Sequence, residues 1–269
     1  MFKFADTYIA ALIQGIFNGS ITEYELPENL YYAISDYLKS GLYKGFGVDF
    51  TKITKQINEE ILTKFTEGDL ELLTELRTNV YMFSAAKTYQ QVKEMTEKLI
   101  GEDGKITPFS DFKEAATEIF ETYNEDYLKA EYDTAITGAQ EAVKWQEIEK
   151  NKDILPLVIY SAIGDACEIC QPLDGLIAKV DDPVWNTVAP PNHFKCWCLL
   201  EQMEEDEGKE TAGRDELVNG VGEKMDDIFK MNTGKDGYVF SPDHPYFSVP
   251  KRDVEFAQNN FDLPIPKHD

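Results

Sequence analysis

All four cysteines of this 269-residue chain fall between positions 167 and 198, in the stretch CEICQPLDGLIAKVDDPVWNTVAPPNHFKCWC, together with His193, one of three histidines. Cys167 and Cys170 form a C-x-x-C pair, and Cys196 and Cys198 follow beyond a turn-rich loop, with His193 three positions before Cys196. Two close donor pairs separated by a loop suit a structural zinc site: each pair supplies two corners of a tetrahedron and the ion closes the loop. Five donors compete here for four corners. On a regular strand Cys196 and Cys198 would share one face about 7 Å apart, so both can reach one ion only if the backbone bends there. His193 with Cys196 is the easier pair. The favoured set is therefore Cys167, Cys170, His193 and Cys196, with Cys198 as a substitute ligand or a buried neighbour.

Other chemistries fit these residues less well. Disulfides would need an oxidising compartment, and a thioredoxin-like site would use one C-x-x-C and leave the second cluster unexplained. A nucleobase deaminase needs an H-x-E motif ahead of P-C-x-x-C; no histidine precedes Cys167, and Ala166 stands where the proline belongs. A zinc-stapled nuclease would want a second histidine near the metal, but His244 and His268 lie in turn-like surroundings, and His244 is expected to pack against the chain. A metal-dependent hydrolase or nuclease would have to use His193 with Asp181 or Asp182, and it lacks a clear nucleophile or base. The expectation is a closed, structural zinc site in a protein that is not an enzyme. A zinc-ribbon adaptor that binds another protein remains an alternative to both.

Charge narrows the partners. With 50 acidic against 26 basic residues the formal net charge is −24, which repels phosphate backbones and anionic lipid and so limits direct DNA contact. At 42% hydrophobic residues the chain can bury a substantial core, yet no window approaches 18 uninterrupted apolar residues, so no membrane span is expected. Asp6 and Gln14 argue against a signal peptide at the N-terminus. That segment reads instead as an amphipathic helix gathering Phe4, Ile9, Leu12, Ile13 and Phe17, and a reducing cytoplasm follows as the compartment.

Periodicity places the remaining elements. Ile53, Ile57, Ile61, Leu62 and Phe65 predict a helix over 52–65. Leu70, Leu73, Leu76, Val80, Phe83, Ala86 and Tyr89 predict a longer one that reaches Leu99 and ends at GEDGKITP. Ser110 or Asp111 is the expected N-cap of the longest helix, whose stripe runs from Phe112 through Phe120, Tyr127 and Ala139 to Ile148, roughly 35 residues or about 50 Å, with a kink expected at Gly138. From Ile154 the pattern turns to strands: Ile154 to Ala162, LIAKV after the Asp174-Gly175 turn, and CWCLLEQM, closed by the solvated acidic loop EEDEGKE. A helix is predicted within 214–231. The fold class expected is α+β, in three parts: 1–150, long antiparallel helices forming a bundle or stalk; 151–208, a small zinc-binding β module; and 209–269, a short helix with an extended C-terminal arm.

The order of these features resembles the phage head morphogenesis, or minor head, family, the phage Mu F-like group. The matching residues are Cys167, Cys170, Leu173, Asp174, Gly175, Asp181 to Trp185, Pro190, Pro191, His193, Cys196 and Cys198, within about residues 155 to 202. Phe194, Lys195 and Trp197 depart from the family pattern, which commonly has Pro and Asn after the histidine and Arg between the last two cysteines. The resemblance implies a low-copy structural protein of the virion, at the portal vertex of a tailed-phage head and in the host cytoplasm during assembly. Its implied partners are the portal or major capsid protein, and its implied roles are head assembly, DNA packaging or delivery.

Overall fold

The computed structural model describes residues 3–47, 66–164 and 167–266; the helix expected over 52–65 and His268 lie outside the described residues. The fold is α+β, with helices throughout and one three-stranded antiparallel sheet. By contact the chain divides into two compact units, one built from Met1–Leu38, Val80–Glu131 and Pro245–Asp269, the other from Lys39–Asn79 and Tyr132–His244. Among the described residues no helix is long and apolar enough to cross a membrane.

In chain order the helices that matter are α1 (Asp6–Phe17), α2 (Glu28–Gly45), α3 (Glu67–Glu97), α4 (Phe109–Glu121) and α5 (Leu128–Asn151). The stripe predicted for α3 is the buried one: Leu73, Leu76, Val80, Phe83, Ala86 and Tyr89 all face the interior. In α1 the buried face is Leu12, Ile13 and Ile16, one position along from the expected Phe17, whose ring lies half-buried against Phe109 and Phe112.

Two expectations for the longest helix fail. Its N-cap is Pro108, with no side-chain cap, and Ser110 and Asp111 sit inside the first turn. The break in its regularity is not at Gly138 but a turn of π-helix, Thr122–Tyr127, between α4 and α5. Inserting one residue per turn shifts the buried stripe around the axis, and Asn124 points inward there to donate to Phe120 O at 2.9 Å and Gln91 Oε1 at 2.8 Å. Gly138 sits in α5 because a Cβ there would come within 2.7 Å of Val239 Cγ1; it marks close packing.

The first unit encloses a charged pair. Lys87 and Glu131 are fully buried and meet at 2.8 Å, with Tyr246 Oη donating to the same carboxylate oxygen at 3.0 Å. The Lys87 ammonium also lies over the rings of Tyr123 and Tyr246, at 5.4 and 5.1 Å. Burial alone would neutralise both groups; here each supplies the other's counter-charge. Asp253 anchors the C-terminal segment to the same unit by accepting from Tyr24 and Tyr89 at 2.9 and 2.7 Å.

The second unit carries the sheet, ordered β2-β1-β3, with β1 (Leu157–Ser161) central, β2 (Ile177–Lys179) and β3 (Leu199–Met203). The register pairs Val158 with Ala178 on one side and with Gln202 on the other. Its core joins Trp145 and Ile148 of α5 to Val158, Tyr160, Leu176, Trp185 and Leu200, and it includes Cys170, Cys196 and Cys198. Residues 214–231, expected as one helix, form α7 (Arg214–Gly222) and a separate 3-10 turn at Asp227–Phe229 capped by Asp226, a short α6 (Trp185–Val188) having come before.

Two predictions follow from packing in this unit. At Gly45 a Cβ would overlap the carbonyl oxygen of Ile136 and the methyl of Ala139. Gly45→Ala should therefore lower stability by about 2 kcal/mol, although helix propensity alone favours it by about 1 kcal/mol; an unchanged or raised Tm would contradict the close contact. Glu141 is buried in α5 with Oε2 unpartnered, and burial, only partly offset by Lys144, pushes its carboxyl up to about 8. A raised carboxyl stabilises the fold below its unfolded value near 4.5 and loses that contribution as pH climbs through 8. The advantage of Glu141→Gln over the parent in thermal denaturation should thus grow between pH 5 and 8, by up to about 1.4 kcal/mol per unit. A difference independent of pH would refute the burial argument.

Candidate metal centre

Three short segments build the site: the first and third carry the donors, and the second fixes the path of the chain between them. The first follows β1. Gln171 N donates to Cys167 O at 2.9 Å and Leu173 N to Cys170 O at 3.0 Å, closing a tight knuckle around the C-x-x-C pair. The Asp174-Gly175 turn pins that knuckle to the central strand. Gly175, at φ +77°, donates to Tyr160 O at 2.9 Å, and Asp174 Oδ1 accepts from Ala162 N at 2.9 Å.

The second segment runs from β2 through α6. Trp185 Nε1 donates to Lys179 O at 2.8 Å, and Asp182 accepts from Arg214 Nε at 2.7 Å. The proline pair then leads by a cis Pro190-Pro191 peptide to Asn192, which is fully buried. In the third segment Cys196 N donates to His193 O at 3.1 Å, and Lys195 takes the left-handed conformation at φ +61°. The expected strand over CWC does not form; β3 begins at Leu199. That turn is the bend needed for Cys196 and Cys198 to face one point.

The result brings all five predicted donors together. The ligand atoms of Cys167, Cys170 and His193 lie within 4.8 Å of one another, as do those of Cys170, Cys196 and Cys198. Cys170 belongs to both groups, and its Sγ is 3.8 Å from that of Cys196. A tetrahedron with Zn–S bonds of about 2.3 Å has an S···S edge of about 3.8 Å, so this pair already has the spacing of two corners. None of the four cysteines is in a disulfide.

The electrostatics divide the thiols, favouring the anion at Cys196 and Cys167 and the neutral thiol at Cys170 and Cys198. Hydrogen bonds from Cys170 and Cys198 hold the Cys196 thiol far below the usual range, while the bond to Cys196 pushes Cys170 far up. For Cys167 burial works in the opposite sense, but the backbone N–H groups of Cys170 and Ile169, with the charge of His193, hold its thiol below the ordinary value. His193 is pushed up to about 9, chiefly by its hydrogen bond with Cys196. Its Nδ1 lies 2.8 Å from Phe194 O. A proton on Nδ1 directed at that carbonyl leaves Nε2 as the metal-binding nitrogen, the usual way an outer acceptor selects a ligating tautomer.

Several functional neighbours had no signal in the sequence. Tyr160 is buried in β1 with its hydroxyl against Cys170 and Cys198, Asn192 donates to that hydroxyl at 3.1 Å, and Glu141 lies close enough for Cys196 to affect its carboxyl. A tyrosine in an apolar strand reads as core, and nothing in its spacing links it to cysteines ten and more residues on. The acids of the alternative hydrolase are engaged elsewhere: Asp181 pairs with Lys152 at 3.0 Å and Asp182 with Arg214. His244, as expected, is buried against the chain.

The family described as "Phage Mu protein F like protein" matches residues 33–201, which contain every cysteine and His193. The "Mu-like prophage FluMu F protein" of Haemophilus influenzae is 33% identical over 69 residues, covering 25% of this chain and 17% of that protein; the chain thus spans under a fifth of that relative's length. No solved structure matches the chain. The matched region takes in more than half of the sequence, with the whole cysteine and histidine cluster inside it, and the chain belongs to the phage Mu protein F-like family.

Proposed function

We propose that this chain is a structural, minor head protein of a tailed phage or prophage, and that its cysteine cluster holds one zinc ion that staples the module after α5. The observation that carries the reading is the coincidence of the family match with a cluster of four thiols and an imidazole, three of the thiols buried and the other two donors half-buried. Zinc with four such donors is closed to substrate and contributes folding energy. The ion would be held by Cys167, Cys170, His193 and Cys196, with Cys198 as the exchangeable fifth donor, and its charge would join the β1 knuckle to the turn before β3.

A rigid module with no open metal position suits docking by shape on a larger assembly. The portal or major capsid protein is the proposed partner, with the virion as the final location and the host cytoplasm as the place of assembly. The acidic surface supports protein partners over extended DNA contact, and the pairing of Asp181 and Asp182 with cations supports a protein without hydrolase activity.

Two measurements test this. Elemental analysis of protein purified without added metal should give about one zinc per chain, and Cys167→Ser with Cys170→Ser should release it and lower Tm by several degrees; unchanged metal content in the double variant would remove the metal assignment. Co-expression with a portal protein of the same phage or prophage should give co-elution with a ring-sized oligomer. A chain that stays separate and degrades nucleic acid in a metal-dependent way would contradict the structural role.

A further inference from the structure

Asn192 reaches the cluster by two routes. Its main-chain N–H is bonded to Cys196, and its side-chain amide donates to Tyr160 Oη at 3.1 Å and to Val188 O at 3.1 Å. Both amide hydrogens are thereby used, which fixes the amide orientation and leaves Oδ1 buried without a partner. Because Tyr160 Oη accepts from Asn192, its own hydrogen must point elsewhere. The acceptors packed in the same buried core are the sulfurs of Cys170 and Cys198.

The ring cannot turn away from them. Tyr160 is fully buried, and it sits in the central strand with its N–H donating to Leu176 O and its carbonyl accepting from Gly175, both at 2.9 Å. Thiolates bound to a metal commonly accept hydrogen bonds from outside the ligand set, and these donors draw off sulfur charge and set ligand orientation. The backbone supplies such donors to Cys167 and Cys196. Among the side chains around the cluster, Tyr160 is the hydroxyl placed to serve Cys170, the thiol common to both donor groups.

The geometry points to Tyr160, oriented by Asn192, as a positioning residue of the metal centre that donates its hydroxyl hydrogen to a ligand thiolate. The inference rests on the metal assignment above and extends it beyond the ligands. Without the hydroxyl, Cys170 would carry more charge, and the ion would be held in a softer, less specified geometry.

Tyr160→Phe keeps the ring and removes only the hydroxyl. In competition with a chromophoric chelator its zinc affinity should fall about tenfold. In the cobalt(II)-substituted protein its thiolate-to-metal charge-transfer band should move to lower energy, because a sulfur relieved of a hydrogen bond is the better electron donor. Asn192→Ala, which leaves the hydroxyl in place but free to rotate, should shift the same band less. A loss of packing alone would lower the thermal stability of the metal-free protein and leave the band where it is. Affinity within twofold of the parent and an unmoved band in Tyr160→Phe would overturn the inference while leaving the metal assignment standing; a parent protein that binds no zinc or cobalt would overturn both.

Discussion

Two buried sulfurs 3.8 Å apart cannot both be anionic without a compensating charge, and much of the second unit is arranged around that fact. Between them a proton is shared unequally, with Cys196 driven toward thiolate by its hydrogen bond from Cys170, and Cys170 toward thiol. A divalent cation would remove the conflict by letting both ionise at once. The same cation would bind distant parts of the chain, since Cys167 and Cys170 follow β1 and His193 and Cys196 precede β3. Closing such a loop also reduces the freedom of the unfolded chain, as a covalent staple would.

The surrounding fold supports that closure more than it supplies it. β1 is the fixed reference: it holds Tyr160 under the cluster, receives the knuckle through Gly175 and pairs with both other strands. Trp185 and the Asp182–Arg214 pair fix the path of the intervening loop. Lys195 is held left-handed at φ +61°, a conformation unfavourable to a side chain by about 1–2 kcal/mol, and it is what turns Cys196 and Cys198 to one side. Two aromatic residues remain outward on this turn. Trp197 is 51% exposed, and Phe194, 42% exposed, rests its ring edge-on against Phe229. The positions where the chain departs from the family pattern are thus at the surface, while Cys170, Cys196 and Cys198 are inside and Cys167 and His193 lie between.

Much of this was legible in the sequence wherever one local rule decided the outcome. The stripe of α3 is a property of its own periodicity, and the Asp174-Gly175 turn follows from glycine's tolerance of positive φ. Donor spacing alone points five residues to one place. What could not be read depends on contacts across the chain. The π-turn at Thr122–Tyr127 has no composition that marks it, because the inward Asn124 and its partner Gln91 define it only once α3 and α4 are side by side. Gly138 looked like a break because the close approach of Val239, a hundred residues on, is invisible locally. The alternation in CWCLLEQM suggested a strand from Cys196, whereas the gathering of the donors delays it to Leu199. Tyr160 and Asn192 were silent for the same reason. The makeup of each unit from segments far apart in sequence is likewise set by long-range contacts.

X-ray absorption at the zinc edge of the purified protein reads the central claim most directly, since it reports the atoms around the ion rather than the consequences of losing it. The account predicts a four-coordinate shell of three sulfurs at about 2.3 Å and one nitrogen at about 2.0 Å. A shell of oxygen and nitrogen alone, or one with a water-occupied open position, would contradict it.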